Sequence, residues 1–419
     1  MSSSIQLGNL SLSHAYSAAK PVVMATGDFV APTSANDIKM MSKATIQGLT
    51  QSNIGEISAD LMQYFSADQI KVFSRAQISY LSPDQITGMT AAQLNGLGST
   101  QLRALQVQDL NAITTTNIAL LNSTQLNTLS ALQLHSLSSS NVQALTSSQL
   151  NNLTLNQLQE MTTSSISQLL TSQVANLSTK QIVNLNATQV KALTAAQING
   201  MTTANLKAIE VGDLQSMTTA QVQGISTSQI GNLSSTQVAA LSKTQVQALT
   251  TGQLNNLGST LIQAIETGDL QGLSTTQVSA LSSTNLGYLS SGQVKALSAL
   301  QLGAVSLAKL GTAQINNLSV DQVKLLKTSQ INDIASNTSL LQAINTTNLQ
   351  ALTPVIVSGL SSTAIGNLSS TQIQGLATPQ LKALTATQLG QLPTTTTNVS
   401  YLTSAQVSSL NVSQLGSVN

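Results

Sequence analysis

Residues 233–256 read Leu-Ser-Ser-Thr-Gln-Val-Ala-Ala, Leu-Ser-Lys-Thr-Gln-Val-Gln-Ala, Leu-Thr-Thr-Gly-Gln-Leu-Asn-Asn. The phrase has eight residues: apolar, Ser or Thr, two variable, Gln, aliphatic, two variable. It runs without a slip through residues 41–304, which makes 33 octads. The first position is Leu, Ile, Met or Phe throughout, and the sixth is Ile, Leu, Val or Met. Ser or Thr holds the second position in 25 octads and Gln the fifth in 21, so four positions are constrained and four drift.

Three secondary structures compete for this pattern. A single long helix fails, because eight residues advance about 800° and the apolar seam drifts roughly 80° per octad. A strand needs apolar residues at every second position. Here the spacings are three (Val246 to Leu249) and five (Leu241 to Val246), which puts them on opposite strand faces. A short helix fits every feature. Ser242 is an N-cap, Gln245 completes the Ser/Thr-x-x-Glu/Gln capping box, and Leu241 faces Val246 as a hydrophobic staple. Val246 and Leu249 then share one helical face.

A helix of one and a half turns is too short to stand alone. It persists only by burying its two apolar residues against neighbouring octads. Small eighth residues such as Ala248, Gly272, Ala280 and Ala296 allow close approach at the corners. The expected fold is therefore all-α, a solenoid of very short helices with one per octad. The alternative is a β-solenoid, which suits a Thr-, Ser-, Asn- and Gln-rich chain with few charges. The number of octads per turn stays open at this level.

Outward from the repeat, residues 1–40 form a non-repetitive leader and a transitional octad. In the leader, residues 5–7 and 10–12 alternate as short extended segments, and Pro21 and Pro32 punctuate it. After residue 304 the same solenoid continues to residue 419 with register breaks. Residues 305–309 are a five-residue remnant, and 334–343 and 392–401 are ten-residue units, the last built on Pro393 and four threonines. Pro354 and Pro379 also fall inside repeats. These breaks read as loops or bends, not as domain boundaries.

The chain has 419 residues, net charge +1 and only 7% charged residues. Soluble domains carry about 25%. Without a basic stripe, nucleic acid is not an expected partner. The absence of Cys excludes disulfides and thiolate chemistry. No run approaches the ~18 apolar residues of a membrane span. The N-terminus lacks the positive start and apolar core of a Sec signal peptide, so export would use another route.

Candidate chemistry is sparse. Glu210 with Asp213, and Glu266 with Asp269, recur in the phrases Ala-Ile-Glu-Val-Gly-Asp-Leu and Ala-Ile-Glu-Thr-Gly-Asp-Leu. Each pair is a weak candidate for a hard cation such as Ca²⁺. The competing reading is that these acids sit at cap and third helical positions, where carboxylates favour free amides and the helix dipole. Asp109 occupies the same position in a third octad. His14 and His135, the two histidines, lie in the leader and at a variable position, which gives no shared site. No cofactor site, nucleophile–base pair or phosphate loop is present, so no enzyme is expected.

The phrase Leu-Thr-x-x-Gln-Val/Ile-x-Ala-Leu, seen around Leu193 and Leu249, resembles octad repeats of large bacterial secreted and cell-surface proteins of adhesin-like type. The resemblance spans nearly all of residues 41–419 and implies an extracellular or cell-surface location, with cell surfaces or glycans as partners. It does not carry over Ca²⁺-dependent folding, because the Gly-Gly-x-Gly-x-Asp nonapeptides that accompany some such proteins are absent. The last octads stay in register, with Leu410, Leu415 and Val418 apolar and no polar cap. Solenoids need capped ends. The expectation is therefore a structural protein that self-associates end to end through these residues into a filament or surface layer. A monomeric adhesin or spacer is the alternative.

Overall fold

A computed structural model describes residues 29–392 and 398–418. The leader segments 5–7 and 10–12, His14, Pro21 and the loop 393–397 lie outside the described residues. Every regular element among the described residues is an α-helix of four to six residues or a short 3-10 segment, and none is a strand. The β-solenoid alternative is thereby removed. Among the described residues no helix is long and apolar enough to cross a membrane.

Where Ser or Thr holds the second position and Gln the fifth, the helix starts as the octad dictates. In Lys243–Ala248 the Ser242 hydroxyl accepts from the Gln245 amide, while the Gln245 side-chain oxygen accepts from the Ser242 amide. The helix ends because Leu249 turns extended, at φ −60° and ψ 132°, and begins the next octad. First- and sixth-position residues form the core, as Leu241 (4% exposed) and Val246 (0%) illustrate.

The chain divides into two compact units, Met1–Leu177 and Ser178–Asn419. Both use the same stacking rule. In the first, Ala67–Val72 packs on Ala91–Gly96 and Pro83–Thr87 on Val107–Ala112. In the second, Thr219–Gly224 packs on Lys243–Ala248 and Pro354–Ser358 on Thr378–Ala383. A helix thus meets the helix three places further along, so three octads complete one turn of the coil. The small eighth residue does what its size suggests: a Cβ on Gly88 would lie 2.1 Å from the Ala59 carbonyl oxygen of the preceding turn.

The fifth-position Gln has a second task. Gln253 Nε2 donates to the carbonyls of Val222 and Ile225, 31 and 28 residues earlier, at 2.8 and 2.7 Å. The same pair of bonds recurs from Gln85 to Ile54 and Ile57 in the first unit. These carbonyls close the preceding turn of the coil and lie in the core, where an unmet acceptor is costly. Outside this ladder runs a second one. Seventh-position Asn151, for example, donates to the Asn176 carbonyl, 25 residues ahead.

The register breaks are absorbed without changing the count of three. Residues 305–309 hold a 3-10 turn, Leu307–Lys309, that fills one side of the coil and packs three places away on Ser283–Tyr288 and Thr328–Asn332. Because the remnant lacks three residues, the Gln bonds shorten by three: Gln314 reaches Leu286 and Leu289, 28 and 25 residues back. Across the ten-residue units they lengthen by two, so Gln406 reaches Ile373 and Leu376 over 33 and 30 residues. Pro354 and Pro379 break nothing. They occupy the first turns of their helices, where no amide donor is needed. Residues 33–40 already hold a helix, with Ser34 capping Ala35–Lys39 and Ile38 fully buried.

Candidate functional site

The octads that break the Gln rule with a carboxylate stand out chemically. A Gln at the fifth position accepts at one end and donates at the other. An Asp carboxylate can only accept. Within residues 41–304 three octads carry this exchange, at Asp109, Asp213 and Asp269.

Asp213 and Asp269 are the third helical residues of Val211–Gln215 and Thr267–Leu270, whose N-caps are Glu210 and Glu266. Neither Glu makes a side-chain cap bond, so the capping half of the sequence reading is corrected here. Two carboxylates at the reciprocal positions of a capping box repel each other, and neither can donate to the other. The effect shows on the aspartates. Burial, then the charge of the neighbouring Glu, raises the carboxyl pKa of both Asp213 and Asp269 above the ordinary value. Lys243 opposes the rise at Asp269.

An open groove of about 620 Å³ lies beside the second pair, lined by Val211, Gln215, Leu241, Lys243, Glu266 and Asp269 among others. A Cβ on Gly272 would lie 2.7 Å from Gln247 Nε2 and 3.0 Å from Lys243 Cε, so the glycine leaves room for both side chains. The arrangement is a half-compensated acidic groove. It places two carboxylates and an ammonium side by side, where a small polar ligand could meet all three. The two acid pairs are not brought into one cluster: among the described residues no three His, Cys, Asp or Glu gather as a metal group.

Asp109 differs from both. It is fully buried, its Oδ2 accepts from the Gln106 amide at 2.8 Å, and its Oδ1 has no partner. Burial raises its pKa, opposed by the Gln106 bond. His135 is exposed on the outer ladder, its Nδ1 3.4 Å from the Glu160 carbonyl. Of the apolar residues at the end of the last octads, Leu410 and Val418 are buried within their own unit, while Leu415 is 44% exposed.

Sequence reasoning missed the second bond of the Gln, although the signal was present. A capping box takes Glu as readily as Gln, yet Glu never occupies the fifth position in residues 41–304. That exclusion marks a position where a side chain able to donate is favoured over a longer carboxylate.

Comparison with family models matches the ALTTAQ repeat at residues 206–243 and 262–299, and each matched segment contains one of the acid pairs. Comparison with curated protein sequences gives no match. The chain is a repeat protein, with an all-α solenoid architecture in each unit.

Proposed function

We propose that the chain is a non-enzymatic structural repeat protein that acts outside the cell or on its surface and assembles with copies of itself. The observation that supports this most is the form of the stacking contact. Within each unit, turns dock on the ones before through the same seam and recurring Gln-to-carbonyl bonds, as at Gln253 and Ile225. Such a contact is heterologous, and when it does not close it propagates. Leu415, a sixth-position residue whose counterparts in residues 41–304 are buried, presents apolar surface to such a contact. Export fits a chain without Cys and with few charges, and matches the octad's resemblance to secreted repeats. A second reading, a monomeric adhesin that binds a glycan or protein ligand, draws on the open groove beside Lys243, Glu266 and Asp269. Electron microscopy and sedimentation of the purified chain test the first reading. Concentration-dependent filaments or sheets that weaken in Leu415→Asp are expected, and isolated monomers at high concentration reject it.

A further inference from the structure

Around Asp109 the fifth-position rule is kept by both neighbours. Gln101 Nε2 donates to the carbonyls of Ile70 and Phe73, 31 and 28 residues earlier. Asn117, one methylene shorter, still reaches the Met89 carbonyl 28 residues back at 2.8 Å. The same register assigns to Asp109 the carbonyls of Ile78 and Leu81. Asp has the shape of Asn without its donor, and Oδ1 of the buried Asp109 is the one buried side-chain polar atom without a partner among the described residues. A bare carboxylate in that place sets its oxygen against backbone oxygens. A carboxylic acid sets a hydroxyl there instead.

We propose that Asp109 is a proton-gated staple of the coil: as the acid it donates to the Leu81 carbonyl as its neighbours' amides do, and as the carboxylate it loses that bond and loosens the packing of Val107–Ala112 on Pro83–Thr87. The proton stays on Asp109 and is shared with the carbonyl. On ionisation it leaves to water and the contact opens. No other charge takes over the role. The ionisable groups on the surrounding elements are Arg75, Tyr80, Asp84, Arg103 and His135, and all are exposed. The causes of the raised Asp109 pKa are burial and the opposing Gln106 bond, with no charged neighbour among them. A buried acid whose folded pKa lies above its unfolded one stabilises fully below the unfolded value, and that contribution is lost as pH rises through the folded value. The staple is therefore closed in acid and open above the raised pKa. The gate is specific to this octad, since Asp213 and Asp269 are only half-buried and each has a Glu beside it.

The test compares the full chain with Asp109→Asn by amide hydrogen exchange at matched pH. Asn serves at the same position in Asn117 and Asn141, so the variant keeps the fold. At pH 7 residues 83–88 and 105–113 should be protected about tenfold more in the variant, and the gap should close as the pH falls into the acid range. A gap of constant size at all pH values, or a variant less protected at neutral pH, overturns the proposal. So does a wild-type protection that rises when sodium replaces choline at constant ionic strength, because a cation rather than a proton would then fill the site. A carbon-13 titration of the Asp109 carboxyl is the second readout. Its midpoint should lie above the ordinary carboxyl value of 3.8, and a midpoint equal to or below it refutes the staple.

Discussion

Gln253 and Ile225 are 28 residues apart in sequence and joined by a 2.7 Å hydrogen bond from Nε2 to the carbonyl oxygen. At its other end the same amide accepts from the Thr250 backbone at 2.8 Å. One side chain therefore starts its own helix and ties it to the previous turn. The residue is 1% exposed, so both bonds are shielded from water.

Gln253→Glu separates the two tasks. Glutamate preserves the cap bond but offers acceptors to the carbonyls of Val222 and Ile225, with a charge in the core. A loss of about 3 kcal/mol of local stability is expected at neutral pH, the scale for a buried polar group left unpaired. Protonation restores a donor, so the loss should shrink in acid. Amide exchange of residues 222–227 and 250–256 reads it, and exchange equal to wild type at pH 7 would show that the capping bond alone matters.

The cap itself is the smaller contribution. Thr250 Oγ1 accepts from the Gln253 amide at 3.2 Å. Thr250→Ala should cost about 1 kcal/mol. Thr251→Ala, one residue on and exposed, should stay within about 0.5 kcal/mol of wild type. Equal effects at the two sites would argue against the capping role.

How much of this is legible in the octad depends on where each interaction partner lies. Leu241, Ser242, Gln245 and Val246 interact within one octad, so the helix, its start and its seam can be read from local spacing. The Ile225 carbonyl is 28 residues from Gln253 and belongs to the backbone, which leaves no side-chain signature. The number of octads per turn is hidden for the same reason. All octads look alike, and nothing in the sequence marks every third one. The acid pairs were legible as exceptions, but their failure to cap was not, because it depends on repulsion between two residues that each suit a cap alone.

Burial along the seam sets a second scale. Leu254 is 1% exposed and Leu300, at a variable position, is 77% exposed. Leu254→Ala should cost about 3 kcal/mol through lost burial and the cavity left behind. Leu300→Ala should change stability by less than about 0.5 kcal/mol. Urea unfolding followed by exchange at neighbouring amides measures both, and a comparable loss at the two sites would contradict the assignment of the seam.

Asp37 supplies the opposite pH sign to Asp109. Its Oδ2 accepts from the Thr33 and Ser34 amides at 3.0 and 2.9 Å, and these bonds hold its carboxyl below the ordinary value, the Thr33 amide first. The folded pKa is depressed, so the contribution is present above the unfolded value of 3.8 and is lost as pH falls through the folded one. Amides at the start of Ala35–Lys39 should lose protection in acid, and Asp37→Asn should remove most of that dependence. Protection that rises in acid would reverse the sign and refute the assignment.

The five residues 305–309 make the sharpest test of the three-sided coil. They replace an eight-residue octad, yet Leu307 is fully buried and Leu307–Lys309 still meets the helices three places before and after it. What the coil requires at this point is a side, not eight residues. Inserting three residues after Ser306 to complete the octad should leave helix content and cooperativity near wild type. It should also return the Gln314 bonds to the usual separations of 28 and 31 residues, as at Gln253. Deleting 305–309 removes a whole side. Every later helix would then be offset by one place, Gln314, Gln322 and Gln330 would lose the carbonyls they now reach, and their acceptors would stay buried and unpaired. The deletion should expose residues 310–333 to rapid amide exchange while residues 195–280 keep theirs, since coupling in a stacked repeat runs mainly between neighbours. If the deletion is tolerated as well as the insertion, three octads per turn is not a fixed count.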